Sequence, residues 1–110
     1  MSSSAPVLFV STVYERAHKL AQILQEDVNR KYPLSGTVFN ITEGRRYIKI
    51  TADDNQSSVH AFIDNKTGDV YKPASWNKPA KHVRYNLLDD ASYAQCLTRA
   101  DWAGSYLYLR

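Results

Sequence analysis

The stretch Val59–Leu88, VHAFIDNKTGDVYKPASWNKPAKHVRYNLL, decides how this chain is read. Over Ser58–Asp64, Val59, Ala61 and Ile63 alternate with His60 and Phe62, the period of a half-buried strand. Asn65-Lys66-Thr67-Gly68 follows as a hairpin turn, with Gly68 available for a positive φ. Asp69–Lys72 is then the returning strand. Pro73 and Pro79 disfavour regular structure between them, so Ala74–Lys78 reads as a loop displaying Trp76. His82–Leu87 reads as extended. No acidic residue occurs from Val70 to Leu88, whereas Lys72, Lys78, Lys81 and Arg84 all fall inside it.

Upstream, the same alternation continues over Gly36–Thr42 and Arg46–Thr51. Ile48 and Ile50 take one face, and Tyr47, Lys49 and Thr51 the other. Before Pro33 the period changes. Val13, Ala17, Leu20, Ala21, Leu24 and Val28 recur at helical spacing and predict an amphipathic helix over residues 12–31. Thr12 and Glu15 form a candidate capping box at its start. Val7–Val10 reads as a short strand or tucked-in arm, and residues 1–5 as disordered. Downstream, Asp89 or Asp90 caps a short helix through Arg99, with Tyr93, Cys96 and Leu97 facing inward. Ser105–Leu109 alternates like a final strand.

The short connections favour an antiparallel meander. The expected fold is α+β, one domain over residues 6–110. An N-terminal helix packs on a curled sheet of roughly four to six strands. The element order also admits closure into a small Sm-like or SH3-like barrel.

Composition narrows the class. Hydrophobic residues make up 44% and charged residues 23% of the 110, which argues for a globular fold and against disorder. The formal net charge of +3 admits a polyanionic partner. One cysteine, Cys96, excludes an internal disulfide, and it aligns with the apolar face of its helix as a core residue. The apolar run at residues 5–14 lacks a preceding Lys or Arg and is too short for a membrane span. The expectation is a cytoplasmic protein without membrane attachment.

Sequence motifs for chemistry are absent or misplaced. Ser75-Trp76-Asn77-Lys78 and Lys66-Thr67-Gly68 imitate a penicillin-binding pattern. That chemistry needs its Ser and Lys on a helix start, and two prolines bracket the first tetrapeptide. His18, His60 and His82 lack metal-ligand spacing. The chain is therefore expected to be no enzyme and to carry no metal or cofactor. What remains is an interleaving of basic and aromatic residues: Arg45, Arg46, Tyr47 and Lys49, then Lys72, Trp76, Lys78, Lys81, His82 and Arg84. This combination suits phosphate contacts with base stacking. The leading expectation is a binding module for single-stranded nucleic acid or RNA. The alternatives are an accessory protein that captures a host protein or a nucleotide, and a virion or assembly component. A homo-oligomer is compatible with each.

The segments SVHAFID, TGDVYKPASW, PAK and RYNLL, with GSYLYLR at the end, resemble a group of small uncharacterised proteins of tailed bacteriophages, including marine, cyanophage-like ones. The resemblance implies a phage-encoded protein made in a bacterial cytoplasm. It brings no catalytic residue or cofactor. His82 stands where the resemblance leads one to expect glycine.

Overall fold

The computed structural model describes residues 5–108, with side chains from residue 12 onward. A long helix, α1 (Ala5–Lys31), is followed by β1 (Val38–Glu43), β2 (Tyr47–Asp53), β3 (Ser57–Asp64) and β4 (Asp69–Tyr71). A small hairpin comes next, formed by β5 (Pro73–Ser75) and β6 (Lys78–Pro79). The chain then passes through β7 (Tyr85–Asn86), α2 (Asp90–Arg99) and a 3-10 turn at Ser105–Leu107.

Five strands form one antiparallel sheet in the order β1-β2-β3-β4-β7. The meander is as expected, and the sheet stays open. The pairs Ile41↔Ile50, Ile48↔Ile63 and Ile63↔Val70 share one face. That face meets the α1 stripe of Val13, Ala17, Leu20, Leu24 and Val28, all essentially inaccessible. Each Val and Leu side chain of this stripe contributes about 1.5–3 kcal/mol of transfer free energy, so this seam is a main source of stability.

The helix starts earlier than its pattern suggests. Val7–Val10 is helical, not a strand, and Thr12 lies inside the helix, not at its cap. Pro6 fits the first turn, where no backbone N–H is needed. Each residue added to an existing helix gains a hydrogen bond for one residue fixed, whereas an isolated arm would need a free sheet edge. Ala5 belongs to the helix, and the other residues expected to be disordered, 1–4, lie outside the described residues. The β1 edge is itself partly occupied. Gln25 of α1 donates its amide to the Thr37 carbonyl at 2.8 Å and accepts the Phe39 N–H at 2.8 Å, imitating a neighbouring strand.

Three further expectations change. The prolines at 73 and 79 do not abolish strand structure. They face each other in the two-stranded β5–β6 hairpin, with Trp76-Asn77 at its turn. Neither proline can donate to a ladder, which confines the pairing to this short piece. His82–Leu87 is extended only at β7, because His82 adopts a left-handed backbone with φ 74°. Ser105–Leu107 is a 3-10 turn, not a strand. Asp101 Oδ1 accepts the N–H groups of Ala103 and Gly104 at 2.9 Å each, and Gly104 at φ 82° bends the chain. Leu109 lies outside the described residues.

The remaining elements are tied together by polar anchors. Asp89 caps α2 by accepting the N–H groups of Ala91 and Ser92. Asn86 reaches back from β7 to the Thr67 carbonyl and the Asp69 carboxylate. Gly68, at φ 80°, also lets Leu88 approach closely: an added Cβ would stand 3.1 Å from Leu88. Arg16 joins α1 to the start of α2 through the Leu87 carbonyl at 2.7 Å and the Tyr93 ring at 4.4 Å.

Candidate nucleic-acid interface

The sheet face turned away from α1 carries Tyr47, Lys49, Phe62 and Tyr71. The register pairs Lys49 with Phe62 and Phe62 with Tyr71. Phe62 is only 2% exposed, although it lies opposite the main core. Its cover comes from neighbours on the same face. The Tyr47 ring packs edge-on at 5.8 Å, and the Lys49 ammonium lies 5.7 Å from the Phe62 centroid. Tyr47 also meets Tyr71 edge-on at 6.2 Å. The β5–β6 hairpin folds back over this face, so that Lys49 Nζ lies 4.3 Å from the Trp76 ring centroid. Trp76 remains 48% exposed.

At the far end of the face, the Arg46 guanidinium lies over Tyr47 at 5.1 Å and pairs with Asp64 at 3.5 Å. Burial pushes the Asp64 carboxyl up. The N–H groups of Thr67 and Lys66 and the Arg46 guanidinium outweigh that and hold it below the usual carboxylate range. Arg46, Tyr47, Lys49 and Trp76 therefore form one continuous cationic and aromatic surface.

The other predicted site residues divide. Lys78 is exposed on the hairpin beside Trp76, and Arg45, Lys81 and His82 are exposed on turns and loops. Lys72 leaves the cluster and places its ammonium 4.2 Å from the Tyr108 ring. Arg84 has a structural task. It donates Nε to the Leu107 carbonyl at 2.6 Å and Nη1 to the carbonyls of Lys81 and His82. This clasp holds the left-handed turn at His82.

A second concave feature was hidden from the sequence. A cleft of about 390 Å³ lies between Phe39, His60, Lys72, Trp102, Gly104 and Tyr108. His60 is buried in its wall and bonds Tyr106 Oη through Nε2 at 2.8 Å. A register irregularity between Ile50 and Thr51 skips His60, because Ile50 pairs with Ala61 and Thr51 with Val59. His60 therefore packs edge-on against Phe39 at 5.4 Å. It does not follow the simple alternation that put it with Phe62. Burial lowers its pKa to about 4, against a small opposing effect of Asp101. Burial, reinforced by Cys96, Asp101 and Tyr85, pushes the Tyr106 hydroxyl well above its usual range. Both groups are neutral at neutral pH, so the pair is a structural clamp and a poor proton shuttle.

The remaining titratable candidates are also spoken for. Burial pushes the Cys96 thiol up to about 12, which makes it inert as a nucleophile. Ser75 and Lys78 face each other across the hairpin. Among the described residues, no group of three His, Cys, Asp or Glu is placed to hold a metal ion. No helix among the described residues is long and apolar enough to cross a membrane. The one sequence signal for the hidden features was Asp101 with Gly104-Ser105, a spacing typical of turns closed by an Asp side chain.

No curated protein and no solved structure matches the chain significantly. Over residues 7–109 it matches the family of unknown function DUF7717, and the chain belongs to that family.

Proposed function

We propose that this protein is a non-enzymatic binding module for single-stranded nucleic acid, phage-encoded and acting in a bacterial cytoplasm. The observation that carries the reading is the continuous Arg46–Tyr47–Lys49–Trp76 surface over the buried Phe62 ring. An open sheet face with aromatic rings offers stacking to any base, and the interleaved cations meet the backbone phosphates. Lys78 extends the positive field beside Trp76, Lys81 adds a cation on the exposed loop that follows, and no acid occurs between residues 70 and 88.

The test is fluorescence anisotropy with labelled single-stranded oligonucleotides across a salt series. Trp76→Ala should weaken binding by about 1–3 kcal/mol through lost stacking. Replacing Lys78 and Lys81 together with Ala should flatten the salt dependence, since fewer counterions are released. Binding that is absent at low salt, or indifferent to both variants, overturns the reading.

A second reading, capture of a host protein, is favoured by a different observation. Leu34 is 98% exposed and Tyr32 53% exposed, and both line an apolar hollow shared with Pro33 and Trp102. Saturable, salt-insensitive binding of a protein that Leu34→Lys abolishes would select it.

A further inference from the structure

We propose that the cleft between β7, α2 and the 3-10 turn is a subsite for a terminal phosphate group. It is lined by Arg84, Gln95, Arg99, Ser105, Tyr106 and Tyr108 and has a volume of about 510 Å³. This deepens the reading above and rests on it only for the source of the phosphate.

Two guanidinium groups line this cleft. Among the described residues neither Arg84 nor Arg99 lies within ion-pairing distance of a carboxylate. Arg84 is already immobilised. Its Nε and Nη1 are committed to the carbonyls of Leu107, Lys81 and His82. A guanidinium fixed in this way keeps its full charge and its remaining N–H groups for an anion, and it has little side-chain entropy left to lose on binding.

Arg99 stands in the last turn of α2. The carboxyl end of a helix carries about half a negative charge, which the full charge of Arg99 exceeds. The nearest acid in sequence, Asp101, has its oxygens occupied. Oδ1 accepts the N–H groups of Ala103 and Gly104, and Oδ2 accepts the Ser105 hydroxyl at 2.6 Å. Gln95 is exposed on the same helix and supplies an amide donor. The chemistry that fits the Arg99 fork, the remaining Nη2 of Arg84 and the Gln95 amide is a phosphoryl oxyanion.

The cleft borders the contact between Lys72 and Tyr108. Tyr108 lines both this cleft and the one containing Lys72, and the Lys72 ammonium lies over its ring. A terminal monoester, with close to two negative charges at neutral pH, suits this position better than an internal diester with one.

The phosphate can come from the end of a bound strand or from a free nucleotide, and the experiment separates the two. Binding is measured for one oligonucleotide with a 5′-phosphate, a 3′-phosphate or two hydroxyl ends, and separately for a nucleoside monophosphate. Each titration is repeated with Arg99→Gln and with Gln95→Glu. Both positions are exposed, so the variants should fold, and a thermal melt checks this. One phosphorylated oligonucleotide should bind roughly tenfold or more tighter than its hydroxyl form, a gain both variants should erase. Nucleoside monophosphate binding that needs Arg99, without oligonucleotide binding, would sustain the subsite while the strand-binding reading falls. Oligonucleotide binding that depends on Trp76 but ignores the terminal phosphate, with no monophosphate bound, overturns the subsite alone. No binding of any probe overturns both.

Discussion

His60 Nε2 and Tyr106 Oη lie 2.8 Å apart although 46 positions separate them in the chain. This bond joins β3 to the turn that follows α2, and it places an imidazole where water is largely excluded. The imidazole pKa falls to about 4, from the ordinary value of 6.5.

Stability should therefore fall between pH 6.5 and 4. In that window the unfolded chain binds a proton at residue 60 and the native state does not, so stability rises with pH. A shift of this size corresponds to on the order of 3 kcal/mol. Asp27 and Asp64 act in a different window. Their carboxyls are lowered, so their contribution is present above their ordinary value and is lost only as pH falls below about 4. Urea denaturation of wild type and His60→Gln at several pH values separates the two. His18 and His82 are retained in both proteins. Parallel loss of stability from pH 6.5 to 4 in both would show that His60 is not the group responsible.

Leu24→Asp should unfold the protein or cost several kcal/mol, while Gln22→Asp should be near neutral. Leu24 is wholly inaccessible in the α1 seam, whereas Gln22 is exposed. An unpaired carboxylate in that seam removes much of a small domain's stability. Equal thermal midpoints for the two variants would refute the facing of α1.

Asp27 should be more than a surface charge. It is 5% exposed, accepts the Trp102 N–H at 2.9 Å and pairs with Arg30 and Lys31. Burial pushes its carboxyl up, but these partners hold it below the usual range. Asp27→Ala should cost about 1–3 kcal/mol by orphaning a part-buried N–H. Asp27→Asn, which keeps an acceptor, should cost less. In a Trp76→Phe background, a red shift of Trp102 emission in the Ala variant alone would report release of the 101–104 turn. Identical spectra for Ala and Asn would contradict this.

Gln25→Leu should expose the start of β1. The variant loses two hydrogen bonds to the strand, each worth about 0.5–1.5 kcal/mol, and uncovers N–H and C=O groups that can pair with another chain. The expected outcome is lower stability with concentration-dependent self-association by size-exclusion chromatography with light scattering. A variant that stays at the wild-type mass up to high concentration would show that the edge needs no guard.

What the sequence showed was periodicity. The α1 stripe from Val13 to Val28 and the alternation around Ile48 and Ile50 are local patterns, and the folded chain keeps them. Contacts made across the chain were not legible. The irregularity at His60 depends on how β2 and β3 align, so alternation along β3 alone assigned His60 to the wrong face. SYLYL alternates like a strand, but Asp101 and His60 recruit Ser105–Leu107 into a 3-10 turn. Thr12 and Glu15 match a cap that the continuing helix makes unnecessary. At the candidate site, the grouping of Tyr47, Lys49 and Trp76 could be foreseen from composition. The clasp of Arg84, the diversion of Lys72 to Tyr108 and the presence of Arg99 nearby could not, because nothing in their local sequence encodes those partners.

The stacking of Lys49 on Trp76 makes the proposed surface its own competitor. The ammonium occupies a face of the indole that an incoming base would need. Displacing such a cation costs about 0.5–1 kcal/mol at an exposed site. Removing it by Lys49→Met would therefore release the ring while deleting one phosphate contact. The two effects have opposite signs, and salt weakens only the second. Lys49→Met should accordingly bind worse than wild type in dilute buffer and close the gap as salt rises. Lys49 would then act as an occupant that holds the indole in place until a base displaces it.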